Sequence, residues 1–215
     1  MIALFGGSFD PIHLGHLHLA KALLAKYDFK KIFLCPAKKN PLKDQTQATG
    51  AERLAMVQLA IEDANESRLE ALDWEVTRET ESFTKLTLDR LVKEKSDETV
   101  LILGNEVFAA FAKWYQPKEI LDQCHLIIVR RETESKCDVN HILQTINITP
   151  TKTEKNRTWI GDHWIDQVEV PILPFSSTKV RADLDRISKH SATPPEGLQR
   201  VVWEYIKENG LYSVK

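Results

Sequence analysis

The sequence has 215 residues, is 42% apolar and 28% charged, and carries a formal net charge of −2. That length and apolar content suit one compact α/β domain over 1–215. The near balance of charge excludes the broad basic surface of a dedicated nucleic-acid binder, while leaving room for a local cationic site that holds a small anion. The three cysteines, Cys35, Cys124 and Cys137, form no CxxC pair and read as reduced thiols of a cytoplasmic protein. The apolar runs LIL and LIIV are too short to span a bilayer, so no membrane partner is expected, and the strand-like IALF at the start argues against a signal peptide.

In chain order, IALF (2–5) predicts a first strand, and Leu14 to Tyr27 a helix with Leu17, Ala20, Leu24 and Tyr27 on its apolar face. IFLC (32–35) predicts a second strand, followed by a polar loop through Thr49 and a helix from Ala51 to Asn65. LEALDWEV (69–76) alternates weakly, as a short strand does. Ser82 is placed to cap a helix running to Lys93. TVLIL (99–103) and HLIIV (125–129) predict buried strands with helical material between them. Residues 157–166 read as a small hairpin. The segment PPEGLQRVVWEYIKENGLY predicts a last helix with Pro195 in its first turn and Gly210 just past its end. This alternation predicts a Rossmann-like, doubly wound, mostly parallel sheet with helices on both faces, and a small helical part over 176–215. In such sheets ligands sit at the carboxyl ends of the strands.

The stretch FGGSFDPIHLGH (5–16) lies just there. Gly6 and Gly7 are expected to turn the backbone sharply and let a ligand approach; Ser8 adds a hydroxyl, Pro11 stiffens the turn, and a helix N-terminus follows. That order makes an anion seat. His13 and His16, three apart, share a face of the opening helical turn. Neither GxxxxGK[ST] nor GxGxxG is present. Near the other end, FSSTKVR (175–181) offers an N-cap at Ser176 or Ser177, free helix amides, hydroxyls including Thr178, and Arg181, all suited to phosphate oxygens. PAKKNPLK (36–43) is a stiff, positive loop after the second strand.

GGSFDPIHLGH closely resembles the GG[ST]FDPxHxGH signature of the HxGH nucleotidyltransferases, and FSSTKVR resembles their ISSTxxR. Within that superfamily the chain is similar to the bacterial nicotinate-mononucleotide adenylyltransferases over most of its length, least so around 132–170. The resemblance implies transfer of AMP from ATP to nicotinate mononucleotide, with Mg²⁺ bound through the phosphates. It implies that His13, His16 and Arg181 are catalytic, and that Gly7, Ser8, Phe9, His13, His16, Gly104, Glu106, Ser176, Ser177, Thr178 and Arg181 meet ATP. Lys43, Phe83, Thr84 and Trp114 would meet the pyridine nucleotide: Lys43 closes the basic loop, SFTKLTL (82–88) is similar to the family's SYTxxTL, and Trp114 matches the ring-stacking aromatic of GxDxxxxxFxxW. Arg53 and Met56 match an Arg-x-x-Met helix in which the arginine is either structural or a ligand. The chain departs from the family at Gly104-Asn105-Glu106, where GAD is usual; Glu keeps the charge one methylene further out.

Three other readings fit some of these residues. A sister enzyme would use nicotinamide mononucleotide or another phosphorylated acceptor, by adenylyl or cytidylyl transfer. A nucleotide-binding regulator would have lost turnover. A metal hydrolase would use Asp10, His13 and His16 as ligands.

Overall fold

The computed structural model describes residues 1–38, 46–79, 82–130, 134–171, 173–187 and 191–213. Its strands are β1 (Ile2–Gly7), β2 (Lys31–Pro36), β3 (Leu69–Ala71), β4 (Thr99–Gly104), β5 (His125–Arg130), β6 (Lys152–Glu154), β7 (Arg157–Ile160) and β8 (His163–Glu169). They form one sheet in the order β3-β2-β1-β4-β5-β8-β7-β6. Pairing is parallel for β1–β4, β4–β5 and β5–β8, and antiparallel for β7–β8 and β6–β7. The open, mostly parallel α/β sheet read from the sequence is therefore the fold. Every residue from Thr99 to Leu103 and from His125 to Val129 is buried, as expected for central parallel strands covered on both faces. The hairpin at 157–166 is present as β7 and β8, joined through Gly161 and Asp162.

The chain divides into two compact units, each made of three segments. The first comprises Met1–Gly6, Asp28–Ile32 and Phe83–Pro171. It holds β4 to β8 and the helices α3 (Thr84–Glu94), α4 (Asn105–Ala109), α5 (Pro117–Leu121) and α6 (Val139–Thr145). Its core is the apolar run of β4 and β5 with Leu88, Leu91, Phe108, Phe111, Ile120 and Leu143.

The second unit comprises Gly7–Tyr27, Phe33–Ser82 and Ile172–Lys215. Its helices are α1 (Leu14–Lys26), α2 (Gly50–Ala64), α7 (Ser177–Leu184) and α8 (Arg200–Glu208). α1 buries Leu17, Ala20, Leu23 and Leu24, the stripe expected of a helix packed on one side. α2 starts with a capping box: Glu52 N donates to Thr49 Oγ1 at 3.3 Å, and Thr49 N donates to Glu52 Oε2 at 2.7 Å. α8 buries Val202, Trp203 and Ile206, and Gln199 at its start donates to Asp63 and to the Ala60 carbonyl, tying it to α2.

Three expectations need correction. Residues 69–76 make a strand only over 69–71; Leu72 N then bonds to Leu34 O and a turn follows in which Thr77 N reaches Asp73 O. Ser82 caps no helix, because its hydroxyl accepts from the Lys38 amide at 2.8 Å, and Phe83 precedes α3 instead. Pro195 lies ahead of α8, in a turn closed by Leu198 N to Pro195 O, while Gly210 does fall just beyond the helix end.

Candidate active site

The first motif folds differently from its sequence reading. Gly6 and Gly7 are the last residues of β1, and neither adopts a positive φ. The chain turns at Phe9, whose φ of 47° lies in the left-handed region. Gly7 is needed for a different reason: a Cβ there would lie 3.0 Å from the tip of the Phe9 ring. That ring is 2% exposed and packs edge-on to His16, with centroids 5.0 Å apart. Phe9 is thus the support under His16, and its side chain is not part of the open surface.

His13 and His16 do share a face. Their rings stack at 3.7 Å between centroids, 26° from parallel. The His13 amide donates to His16 Nδ1 at 3.3 Å. Neutral His16 therefore carries its proton on Nε2. Gly15 is dictated by the same stack, since a Cβ at that position would fall 2.9 Å from His13 Nδ1. The helix start is only partly open to an anion: the Leu14 amide is committed to the Gly197 carbonyl at 2.8 Å.

The second motif is joined to the first by direct bonds. Ser177 Oγ donates to the Pro11 carbonyl at 3.0 Å, and Arg181 Nη1 donates to the Asp10 carbonyl at 2.5 Å. The other hydroxyls have local duties. Ser176 Oγ accepts from the Lys179 amide at 3.2 Å as the N-cap of α7, and Thr178 Oγ1 accepts from Arg181 Nη2 at 3.4 Å. The expectation that the hydroxyls address phosphate directly gives way to one in which they hold the frame. The amides of Ser177 and Thr178, which precede the first intrahelical acceptor, and the Arg181 guanidinium are the donors this frame positions.

Beneath this seat lies a buried charged network that the sequence did not disclose. The Asp10 carboxylate, on a residue 4% exposed, accepts from Gln47 N at 2.9 Å, Ala48 N at 3.1 Å and Tyr212 Oη at 2.8 Å. With those positions filled by N–H and O–H donors, Asp10 is no metal ligand, and the metal-hydrolase reading loses its third residue. Arg53 is fully buried and gives its donors to the carbonyls of Ser8 at 2.6 Å, Lys38 at 3.2 Å and Ala48 at 3.2 Å. It is structural: it fastens the Ser8 turn to the start of α2. Burial lowers its pKa and Asp10 opposes that shift, and an arginine so placed stays charged. Burial and the adjacent Asp10 carboxylate push the Tyr212 phenol well above its ordinary value, so it is a permanent donor.

In the other unit, Gly104 ends β4 and Glu106 is an exposed residue in the opening turn of α4. The departure at Asn105 has a structural job there: its amide nitrogen donates to the Ser135 carbonyl at 3.3 Å and its oxygen accepts from Cys137 N at 3.2 Å. Thr84 is the first residue of α3. Phe83 lies against Tyr115, centroids 4.8 Å apart, and Trp114 against Phe111 at 5.4 Å. Tyr115, 46% exposed, was missed from the sequence, although it directly follows Trp114. Lys43 lies outside the described residues.

Residues 4–183 match the model of the family described as cytidylyltransferase-like. A probable nicotinate-nucleotide adenylyltransferase of Yersinia pestis is 31% identical over 218 residues, covering 99% of this chain and 95% of the relative. One of the same name from Aquifex aeolicus is 39% identical over 134 residues, 61% of this chain and 78% of the relative. Among solved structures, Plasmodium falciparum nicotinic acid mononucleotide adenylyltransferase, complexed with NaAD, superposes with a TM-score of 0.71 at 18% identity, over 100% of this chain and 98% of that one; this likeness speaks to the fold. The chain belongs to the cytidylyltransferase-like family, in the company of proteins named probable nicotinate-nucleotide adenylyltransferases.

Proposed function

We propose that this protein transfers the AMP moiety of ATP to nicotinate mononucleotide, giving nicotinate adenine dinucleotide and pyrophosphate, a step of NAD biosynthesis. The observation that carries the reading is the junction of the two motifs: Ser177 and Arg181 are bonded to Pro11 and Asp10 across 166 and 171 residues of sequence. This brings a guanidinium and a helix start to the turn that bears the stacked histidines. Relatives more than 30% identical along most of their length carry the same activity in their names.

The chemistry follows from charge. The attacking group is a phosphate oxygen of the mononucleotide, already an anion near neutral pH, so no general base is required. The obstacle is bringing two anions together in line with the departing pyrophosphate, which makes catalysis a matter of positioning and charge neutralisation. His16 donates from Nε2 to the phosphates and stabilises charge on the leaving group; His13, stacked beneath it, fixes its plane. Arg181 and the amides at Ser177 and Thr178 hold further phosphate oxygens. The backbone at Gly7 and Ser8 lies along the same turn, and Gly104 and Glu106 are assigned to the nucleoside portion of ATP. The donors of the seat are N–H groups and a guanidinium, which suit phosphate oxygens and not a cation. Mg²⁺ would therefore enter with ATP as part of the substrate, where it would neutralise phosphate charge. Phe83, Thr84 and Trp114, with Lys43, are assigned to the pyridine nucleotide, a flat aromatic face being suited to its ring.

The test is a panel assay with Mg-ATP against nicotinate mononucleotide, nicotinamide mononucleotide, phosphopantetheine, choline phosphate and glycerol phosphate, following pyrophosphate. Release with nicotinate mononucleotide well above all other acceptors is expected. Equal or greater release with nicotinamide mononucleotide assigns the amide form as substrate. Release only with a non-pyridine acceptor, or none, overturns the reading.

A further inference from the structure

The reading above assigns Gly104 and Glu106 to ATP and gives the residue between them, Asn105, no part in binding. Asn105 is the first residue of α4, and it is half-buried. Both atoms of its side-chain amide bond to one loop. Nδ2 donates to the Ser135 carbonyl at 3.3 Å and Oδ1 accepts from the Cys137 amide at 3.2 Å, across 30 and 32 residues of sequence. One partner is a carbonyl and the other an N–H, so the two ends of the amide cannot be exchanged. Helix formation does not ask for this residue, since asparagine is a weaker helix former than alanine.

The two bonds bring the loop after β5 to the end of β4. Gly104 pairs with Val129 in the parallel ladder, and β5 ends one residue later, at Arg130. The loop is held in three further places. Arg130 Nη1 donates to the Glu134 carbonyl at 3.0 Å, Lys136 Nζ donates to Asn156 Oδ1 at 2.7 Å, and the Asp138 carboxylate caps α6 by accepting from the His141 amide at 3.0 Å. Those contacts fix its two ends and the tip of an exposed lysine. Asn105 grips the backbone on either side of Lys136, at the residue between Gly104 and Glu106. The carboxyl ends of adjacent parallel strands are where such sheets take their ligands, and a wall there favours binding most when it is ordered before the ligand arrives.

We infer that Asn105 is a positioning residue for the nucleoside of ATP: through Ser135 and Cys137 it fixes the loop after β5 as a wall of the space assigned to that nucleoside. The inference deepens the proposed function and rests on it in assigning Gly104 and Glu106 to ATP. An alanine at this position keeps α4 and the strand ends but releases the backbone on both sides of Lys136. The cost of ordering the loop then falls on ATP binding, and a wall that moves separates a purine from a smaller pyrimidine less well. The acceptor is assigned to other residues, Phe83, Thr84, Trp114 and Lys43, so its binding should change little.

The experiment compares wild type with Asn105→Ala in two ways: steady-state kinetics with Mg-ATP or Mg-CTP against nicotinate mononucleotide, and hydrogen–deuterium exchange over residues 134–138 with and without Mg-ATP. In Asn105→Ala, KM for ATP should rise roughly tenfold, with kcat and the KM for the mononucleotide within about twofold of wild type. The preference for ATP over CTP should shrink. Exchange over 134–138 should be slowed by Mg-ATP in the wild type, and should be faster in ligand-free Asn105→Ala than in ligand-free wild type. A purely structural role predicts faster exchange with the constants for both substrates moved alike or not at all, and either result overturns the inference. Should the variant melt too low to assay, wild-type exchange decides: slowing by Mg-ATP supports the inference, and indifference to Mg-ATP overturns it. Wild type that releases no pyrophosphate with any acceptor overturns the functional reading. Exchange then decides this inference by itself, protection of 134–138 by Mg-ATP that weakens in Asn105→Ala supporting it and no protection overturning it.

Discussion

The turn that carries the histidines and the segment that carries Phe83, Thr84 and Trp114 are built on opposite plans. Around the turn, polar groups are fixed by bonds: buried Arg53 holds three carbonyls, buried Asp10 three donors, and each hydroxyl of Ser176, Ser177 and Thr178 a named partner. Around Phe83 and Trp114 the contacts are ring against ring, and the neighbouring Tyr115 is 46% exposed. Phosphate recognition needs donors fixed in space before the ligand arrives, because only a preorganised field favours the transition state over the ground state. Recognition of a flat ring needs surface that closes on it, which adjustable aromatic contacts supply. On the proposed assignment of residues, the comparison makes transfer chemistry and substrate choice separable, and mutations in the two regions should give different kinetic signatures.

The strongest way to break this contrast is His16→Ala. On the proposed role of its donor at the leaving group, it should lower kcat by roughly 10²-fold or more with the fold intact; near-normal turnover by pyrophosphate release would remove His16 from the mechanism. Arg53→Met should act on the frame itself. The carbonyls of Ser8, Lys38 and Ala48 would lose their shared donor, and stability in a urea melt should fall by about 3 kcal/mol. A loss of activity without that loss of stability would make Arg53 a ligand. Trp114→Ala should raise KM for the mononucleotide by about tenfold with a smaller change in kcat, and an unchanged KM places the ring outside the site. Thr49→Ala removes half of the capping box at α2 and should cost about 1 kcal/mol, with kinetic constants for both substrates unchanged.

The smallest expected effect concerns pH and lies away from both regions. His125 is 7% exposed, stacked on Trp164 at 4.5 Å, and accepts from the Trp164 amide. Burial, with His163 adding to it, holds its pKa down to about 4 from an ordinary 6.5. As pH falls through that window the unfolded chain takes up a proton that the folded chain refuses, so stability is full above about 6.5 and declines towards 4. A melt series of wild type against His125→Asn should show a shallower slope for the variant between those values; identical slopes would assign the acid sensitivity elsewhere.

Sheet and strands were legible because the apolar runs at 2–5, 32–35, 99–103 and 125–129 are buried on both faces, and burial writes itself into composition. The two motifs were legible because their glycine, proline and hydroxyl residues act on their own local backbone. What was hidden depends on partners far away in sequence. The helix expected to follow a Ser82 cap starts one residue later, at Thr84, because the Ser82 hydroxyl is claimed by Lys38 across 44 residues. The turn attributed to Gly6 and Gly7 belongs to Phe9, whose left-handed conformation no propensity scale favours and which is stabilised by burial of its ring. Asp10, weighed as a metal ligand, answers instead to Tyr212, 202 residues further along the chain.

The claim on which the account stands is that the α-phosphate of ATP moves directly to the mononucleotide while the outer phosphates leave together. Incubation of the protein and nicotinate mononucleotide with α-labelled and, separately, γ-labelled Mg-ATP reads this directly. The account predicts α-label in the dinucleotide, γ-label in pyrophosphate and no label on the protein; γ-label in the organic product, or label retained by the protein after denaturation, would contradict it.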